Sequence, residues 1–132
     1  MKISILLPYK ENFSPEYPGA VSLFVYETSK ISKFKKNITV FGNTNFKKKF
    51  NIKYQNIDLS RNLFSSQTRN YVKRFIKLEK KFKSTLIEVH NRPSYIHILN
   101  TEVNNKIYTL YFHNDPLSMD GSKTIDQRKK LL

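Results

Sequence analysis

The chain of 132 residues contains no cysteine, and this absence excludes a disulfide-stapled domain and a thiolate metal site. A reducing compartment therefore fits the composition. Long apolar runs are also missing, because the N-terminal MKISILLP carries one lysine and is too short for a secretory signal or a membrane span. We expect a cytoplasmic protein.

Glycine and proline are scarce, with 3 and 5 residues, whereas 39% of the residues are hydrophobic and 14% are aromatic. This composition is typical of a globular domain and not of a disordered segment. The length suits a single hydrophobic core. We predict one domain that spans residues 1–132.

The motifs of several enzyme classes are absent from the sequence. There is no Walker loop, no G-x-G-x-x-G dinucleotide fingerprint and no serine nucleophile elbow. The candidate ligands His90 and His113 have no third ligand at a metal-binding spacing. We expect neither a metal nor a cofactor, and a nicotinamide, ATPase or hydrolase role is disfavoured.

Positive charge dominates what is present, since 24 Lys and Arg against 10 Asp and Glu give a formal net charge of +14. Such a charge attracts nucleic-acid phosphates and anionic lipid head groups. Recognition of phosphates and base edges favours arginine, however, and only five residues are Arg. We do not expect a nucleic-acid partner, although a non-enzymatic basic α/β module that binds nucleic acid or anionic surfaces is the alternative function.

Two basic segments suggest a peripheral contact with a membrane, namely Lys47–Lys49 and the polar face of the segment Arg69–Lys83. A solvated helix face explains the same pattern and is the commoner case. Contact of these segments with a membrane is therefore an alternative to their simple exposure to solvent.

Short runs of β-formers alternate with amphipathic segments along the chain. Strands are predicted at Lys2–Pro8, Asn37–Asn43, Tyr54–Ile57, Leu86–His90 and Ile107–His113. Such alternation predicts a doubly wound, Rossmann-like α/β fold with a mainly parallel sheet and helices on both faces.

Helices are predicted between these strands from their caps and apolar spacing. The first begins near Gly19, with one face formed by Ala20, Leu23, Phe24, Ile31 and Phe34. The second follows a cap at Ser65 or Ser66, with a face formed by Tyr71, Val72, Phe75, Ile76 and Phe82. Pro93 opens the third, and Ser122 is the expected cap of the fourth.

Polar clusters follow two of the strands, at His90–Pro93 and at His113–Pro116. Ligands of doubly wound sheets bind where loops leave the carboxyl ends of the strands. The Tyr9–Gly19 loop and the turn at Asn43 also follow strands. We expect all four segments to meet along one edge of the sheet and to form a site there.

Two further polar residues have ordinary explanations. His97 lies within a predicted helix, and its ring is expected to satisfy backbone groups of a loop. Glu88 lies inside a predicted strand, where a role as a base is one alternative. The commoner case is that it faces a loop or pairs with Arg92, because an unpaired buried carboxylate is costly.

Three stretches, ISILLPYKENFSPEYPGAVSLFV, IEVHNRPSY and LYFHNDPLSM, carry a resemblance that spans nearly the whole chain. In order and spacing they resemble the N-terminal half of a family 4 glycosyltransferase of the GT-B fold. In that family the N-terminal domain holds the acceptor and a C-terminal domain holds the nucleotide-sugar donor. The resemblance implies retaining transfer of a sugar to a glycan or lipid-linked acceptor.

The same resemblance implies roles for individual residues. His113 would face the reaction centre and bind the transferred sugar or its phosphate, while Asp115 would orient a histidine or accept from a sugar hydroxyl. Gly19 and Ala20 would lie near the donor diphosphate, at the free N–H groups of a helix N-terminus. The acceptor side would be lined by Glu11, Tyr17, His90, Asn91, Arg92 and Asn114.

The sequence departs from the family in two respects. Ala20 stands where the family often has a second glycine, and no two Glu are separated by seven residues, as they are in the family's donor domain. We therefore expect half an enzyme, inactive or nearly so alone. Self-association is then expected through side chains left accessible by a missing domain, namely Tyr9, Phe13, Tyr17, Tyr95 and Met119.

Overall fold

A computed structural model of the chain describes residues 1–59 and 66–132. Within these ranges the strands are β1 (Ile3–Leu6), β2 (Ile38–Gly42), β3 (Tyr54–Asn56), β4 (Leu86–His90) and β5 (Ile107–Tyr111). The helices are α1 (Ala20–Ile31), α2 (Gln67–Phe82), α3 (Pro93–Glu102) and α4 (Ile125–Lys129), with short 3-10 turns at Lys35–Asn37 and Pro116–Ser118.

The five strands form one parallel sheet in the order β3-β2-β1-β4-β5. Strand β1 lies at the centre, and all its residues from Ile3 to Leu6 are buried, as its continuous apolar run predicts. The strand order reverses between β1 and β4. This is the topological switch point, outside which doubly wound sheets bind their ligands.

Helices cover the sheet on both faces, because successive residues of a strand point to opposite sides. On one face α1 packs in a cluster formed by Ile3, Ile5, Leu7, Phe13, Val21, Val25, Ile38 and Val40. On the other face α2 and α3 pack in a cluster formed by Leu6, Phe41, Ile57, Tyr71, Val72, Phe75, Ile76, Ile87, Val89, Tyr95, Ile96, Leu99 and Val103. The predicted doubly wound α/β fold is confirmed.

Helix α2 follows its sequence pattern closely. Ser66 caps it by accepting a hydrogen bond from the Arg69 N–H at 3.2 Å, while the alternative cap, Ser65, lies outside the described residues. The predicted face is buried at Tyr71, Val72, Phe75 and Ile76. Large side chains at helical spacing thus identified both the helix and its orientation.

The predicted face of α1 is wrong except at Phe24, which packs against the cluster on that side of the sheet. The helix buries Val21, Ser22, Val25 and Ser29, whereas Leu23 is 42% exposed and Ile31 is 81% exposed. Small side chains let the helix lie close to the sheet, and serine is scored as polar in any search for an apolar stripe. The buried face was therefore hidden in the sequence.

The expected cap of the last helix also needs correction. Thr124, and not Ser122, caps the last helix, because Thr124 and Gln127 form a reciprocal capping box. The Ser122 hydroxyl is buried and donates to the Pro116 carbonyl.

The expected exposure of aromatic side chains near the sheet edge holds for only part of the set. Phe13 and Tyr95 are fully buried in the core, while Tyr17 is 71% exposed. The expected exposure of Phe13 and Tyr95 is therefore wrong, and self-association stays a prediction. Among the helices of the described residues, none has the length and apolar character needed to cross a bilayer.

Candidate functional site

The carboxyl ends of the parallel strands bring the expected loops together at one edge. The Tyr9 N–H donates to the Tyr95 hydroxyl at 3.0 Å, which joins the loop after β1 to helix α3. The Thr44 hydroxyl lies 3.5 Å from Asn12 Oδ1, which joins the loops after β1 and β2. The predicted meeting of these loops at one edge is thus observed.

Two histidines from neighbouring strands meet at this edge. Nδ1 of His90, the last residue of β4, lies 2.9 Å from Nε2 of His113, which follows β5. Nε2 of His90 lies 2.6 Å from Oε1 of Glu88. Glu88 and His90 share one face of β4 because they are two residues apart in a strand. The three side chains form a continuous hydrogen-bonded chain.

Aromatic rings enclose the histidine pair. The Phe24 ring of α1 meets His113 edge-on, with ring centroids 5.0 Å apart, and lies 4.8 Å from the ring of Tyr111. Tyr111 stacks on His90 at a centroid distance of 5.5 Å. His90 is only 1% exposed. The rings therefore restrict both the motion and the hydration of the pair.

This environment favours the uncharged form of His113. Burial lowers the pKa of His113 below its usual value of 6.5, and the nearby His90 lowers this pKa further. Glu11 opposes the shift by raising the pKa. The net shift is downward, so the His113 ring is uncharged at neutral pH.

Asn91 joins the ends of β4 and β5. Its φ of 55° is in the left-handed region, which asparagine tolerates better than most residues. The Asn91 N–H donates to the Tyr111 carbonyl at 2.7 Å, and Asn91 Oδ1 accepts from the His113 N–H at 3.3 Å. Asn91 therefore holds the backbone that carries His113, in addition to any contact with a ligand.

The N-terminus of α1 already holds a carboxylate. Oε1 of Glu11 accepts a hydrogen bond from the Ser22 N–H at 2.9 Å, and an added Cβ on Gly19 would lie only 1.8 Å from the same oxygen. The missing side chain of Gly19 thus makes room for Glu11. The expectation of free N–H groups near Gly19 and Ala20 is therefore corrected, because the Ser22 N–H already donates to Glu11. An anion that binds at this N–H must displace Glu11.

A polar groove of about 390 Å³ is lined by residues that follow His90 and His113 in the sequence, although neither histidine lines it. Its lining residues are Thr68, Asn91, Arg92, Ser94, Asn114, Ser118, Met119 and Asp120. Three of the residues assigned to the acceptor side, Asn91, Arg92 and Asn114, are among them. The groove therefore presents amide, hydroxyl, guanidinium and carboxylate groups within one surface.

The remaining assigned residues lie apart from the pair or have other contacts. Asp115 Oδ1 accepts from the Leu117 N–H at 3.0 Å and caps a 3-10 turn, so His90, and not Asp115, orients the His113 ring. Tyr17 and Ala20 are exposed on the loop before α1 and at its start. Their roles toward a ligand stay predictions.

The two polar residues with ordinary explanations have different outcomes. Nε2 of His97 lies 2.9 Å from the Gly121 carbonyl, so its expected bond to a loop backbone is confirmed. Gly121 itself has a φ of 94° and lies against the start of α3, where a Cβ would be 2.5 Å from the Ser94 nitrogen. The expected pairing of Glu88 with Arg92 is wrong, since Glu88 pairs with His90.

Sequence reasoning raised Glu88 only as a possible base and missed its link to His90, and it missed the contributions of Phe24 and Tyr111 to the site. The link from Glu88 to His90 had a usable signal, because residues two apart in a strand share a face. The packing of Phe24 on the histidines had no such signal, since it depends on where α1 crosses the sheet.

Within residues 1–59 and 66–132, no group of three or more His, Cys, Asp or Glu is placed to hold a metal ion.

Comparison of the chain with protein-family models, with curated proteins and with solved structures finds no match. The fold and the geometry of this edge are therefore the basis for a functional proposal.

Proposed function

We propose that the chain is the acceptor-binding half of a glycosyltransferase, which moves a sugar from a nucleotide-sugar donor to a glycan or lipid-linked acceptor. The observation that carries the proposal is a polar groove at the carboxyl end of the parallel sheet, lined by Asn91, Arg92 and Asn114, which are close neighbours in sequence of His90 and His113. The resemblance of the strand-end motifs to family 4 glycosyltransferases supports the same function.

The groove has the chemistry that a saccharide needs. Sugar hydroxyls both donate and accept hydrogen bonds, and the amide groups of Asn91 and Asn114 offer both functions within one lining. Arg92 adds donors, and Asp120 adds acceptors. The volume of about 390 Å³ is within the usual range of ligand sites, which is about 300–1,000 Å³. A short stretch of glycan fits these properties.

His113 supplies the reactive group of the proposed site. During transfer the acceptor hydroxyl attacks the anomeric carbon, while negative charge develops on the departing diphosphate. An uncharged imidazole can accept a hydrogen bond from the attacking hydroxyl, and the lowered pKa of His113 keeps the ring uncharged at neutral pH. The packing of Phe24 on this ring holds it in place.

The donor diphosphate would approach the N-terminus of α1, where Glu11 would give up the Ser22 N–H. The paired glutamates of the family's donor domain have no counterpart in this sequence. We therefore propose that the donor is held by a domain outside this chain and that the chain alone transfers sugar negligibly. The basic segment Lys47–Lys49 and the outer face of α2 would contact a membrane that carries the acceptor.

Binding of saccharides to the isolated chain tests the proposal. A ¹⁵N-labelled sample is titrated with a panel of neutral oligosaccharides and, separately, with a single-stranded oligonucleotide at physiological salt. We expect an oligosaccharide to shift the backbone amides of Asn91, Arg92, Ser94, Asn114 and Ser118. Tight oligonucleotide binding that shifts the lysines of α2, with no response to any saccharide, would favour the basic binding module instead.

A further inference from the structure

We propose that Glu88 and His90 are positioning residues that hold His113 with its proton on Nε2, so that Nδ1 offers a lone pair and selects a hydroxyl over an anion. The identity of the hydroxyl, on a sugar acceptor, rests on the proposed function. The arrangement of protons rests only on the geometry of the three side chains.

The proton positions follow from the two hydrogen bonds. An ionised carboxylate can only accept, so the 2.6 Å contact with Glu88 requires a proton on Nε2 of His90. The proposal takes His90 as uncharged, with a single N–H, which leaves its Nδ1 as an acceptor. The 2.9 Å contact with His113 then needs the proton on Nε2 of His113. Nδ1 of His113 is left with its lone pair.

Burial makes this arrangement exclusive. His90 is 1% exposed, and both of its ring nitrogens are used in the chain of hydrogen bonds. The opposite tautomer of His90 would place a lone pair against the carboxylate of Glu88. Loss of a hydrogen bond to a charged group costs about 1.5–3 kcal/mol. Glu88, which is partly exposed on the far side of His90, therefore determines which nitrogen of His113 carries the proton.

The same chain can receive a proton from the ligand. When a hydroxyl gives its proton to Nδ1 of His113, the Nε2 proton of His113 can move to Nδ1 of His90. The O–H bond of the ligand breaks, its oxygen keeps the electron pair, and the positive charge comes to rest on His90 beside the carboxylate of Glu88. One proton enters the chain, and no further reactant is needed.

Ring-nitrogen NMR tests the arrangement without any ligand. In long-range ¹H–¹⁵N spectra at pH 8, we expect protonated Nε2 and unprotonated Nδ1 on His113, with a scalar coupling across the bond to Nδ1 of His90. In Glu88→Ala the ratio of the stated tautomers, with both rings protonated on Nε2, to the opposite ones should fall about tenfold or more. This is the scale of one charge-assisted hydrogen bond. Glu88→Gln should give an intermediate ratio, because its amide can accept from Nε2 of His90 in one tautomer or donate to it in the other.

The matched control is Glu102→Ala, which removes an exposed carboxylate from α3 and should leave every ring nitrogen unchanged. A wild-type His113 protonated on Nδ1 would overturn the inference. A Glu88→Ala variant that folds normally and keeps the wild-type ratio would also overturn it.

The selection of a hydroxyl is tested on the same sample with two probes, a neutral disaccharide from the binding panel and inorganic phosphate. We expect the disaccharide, and not phosphate, to shift Nδ1 of His113 at pH 8. A phosphate-induced shift would overturn the ligand class. If no saccharide binds while the tautomers are as stated, the proposed function fails and the positioning by Glu88 stands.

Discussion

Glu79 is a carboxylate with no exposure to solvent, at the end of the sheet opposite the candidate site. Its Oε1 accepts from the N–H and hydroxyl of Ser84 at 2.7 and 2.6 Å, and its Oε2 accepts from the Ser4 hydroxyl at 2.6 Å. The ammonium group of Lys106 lies 3.3 Å away. A buried charge is tolerated only with such partners. Glu79 therefore fastens α2 to the segments around β1, β4 and β5.

Removing this carboxylate should destabilise the fold strongly. Glu79→Ala is expected to lower the free energy of unfolding by about 3–5 kcal/mol, because it removes the charge partner of Lys106 and the acceptor of the Ser4 and Ser84 hydroxyls. Urea denaturation followed by circular dichroism measures the change. The exposed Glu102→Ala should change stability by less than about 0.5 kcal/mol. A loss below about 1 kcal/mol for Glu79→Ala would contradict the role assigned to Glu79.

At the scale of elements, helix α2 connects the two ends of the sheet and depends on its caps. Ser66 begins it, and Lys83 ends it with a φ of 56° and a ψ of 55°, in the left-handed region. A non-glycine residue pays about 1–2 kcal/mol in that conformation. The helix therefore ends at a strained position whose side chain is exposed.

Glycine at this cap should stabilise the protein. Lys83→Gly is expected to raise the free energy of unfolding by about 0.5–1 kcal/mol, since relief of the left-handed strain exceeds the entropy lost by glycine on folding. Lys80→Gly, one turn earlier and in helical conformation, should lower it by about 1 kcal/mol. Thermal and urea denaturation compare the two variants. Equal losses of unfolding free energy in both variants would show that the left-handed cap residue is not strained.

The elements also show how far the sequence could be interpreted. Strands β1, β2 and β4 and helix α2 were predictable, because continuous apolar runs and large side chains at helical spacing report burial directly. The buried face of α1 was not, since Ser22 and Ser29 are small polar residues whose burial depends on close packing against the sheet. The cap of α4 was missed because Ser122 is used in a tertiary contact with Pro116.

The candidate site was also predictable from the sequence only in part. The meeting of His90 and His113 could be predicted, because loops after neighbouring parallel strands lie at one edge. The contact of Glu11 with the N-terminus of α1 could not, since it depends on how an irregular loop folds back over the helix start. The hydrogen bond from Glu88 to His90 is local and follows from strand geometry, whereas the packing of Phe24 is set by tertiary structure.

At the scale of the whole molecule, the net charge of +14 is unevenly distributed. Basic side chains line the outer face of α2, which carries Lys73, Lys77, Lys80 and Lys81. The site edge carries one guanidinium in its groove, that of Arg92, beside several carboxylates, namely Glu11, Glu88, Asp115 and Asp120. These carboxylates repel polyanions, so the edge suits an uncharged ligand better than a nucleic acid.

The affinity of the chain for an oligosaccharide, compared between two single variants, tests the central claim most directly. Isothermal titration at physiological salt should show binding by the wild type, a roughly five- to tenfold loss in Asn114→Ala, the scale of one hydrogen bond, and no change in Lys73→Ala. Asn114 is exposed in the groove, so its truncation leaves the core intact. No saccharide binding by the wild type, or a loss in Lys73→Ala instead of Asn114→Ala, would contradict an acceptor site at this edge.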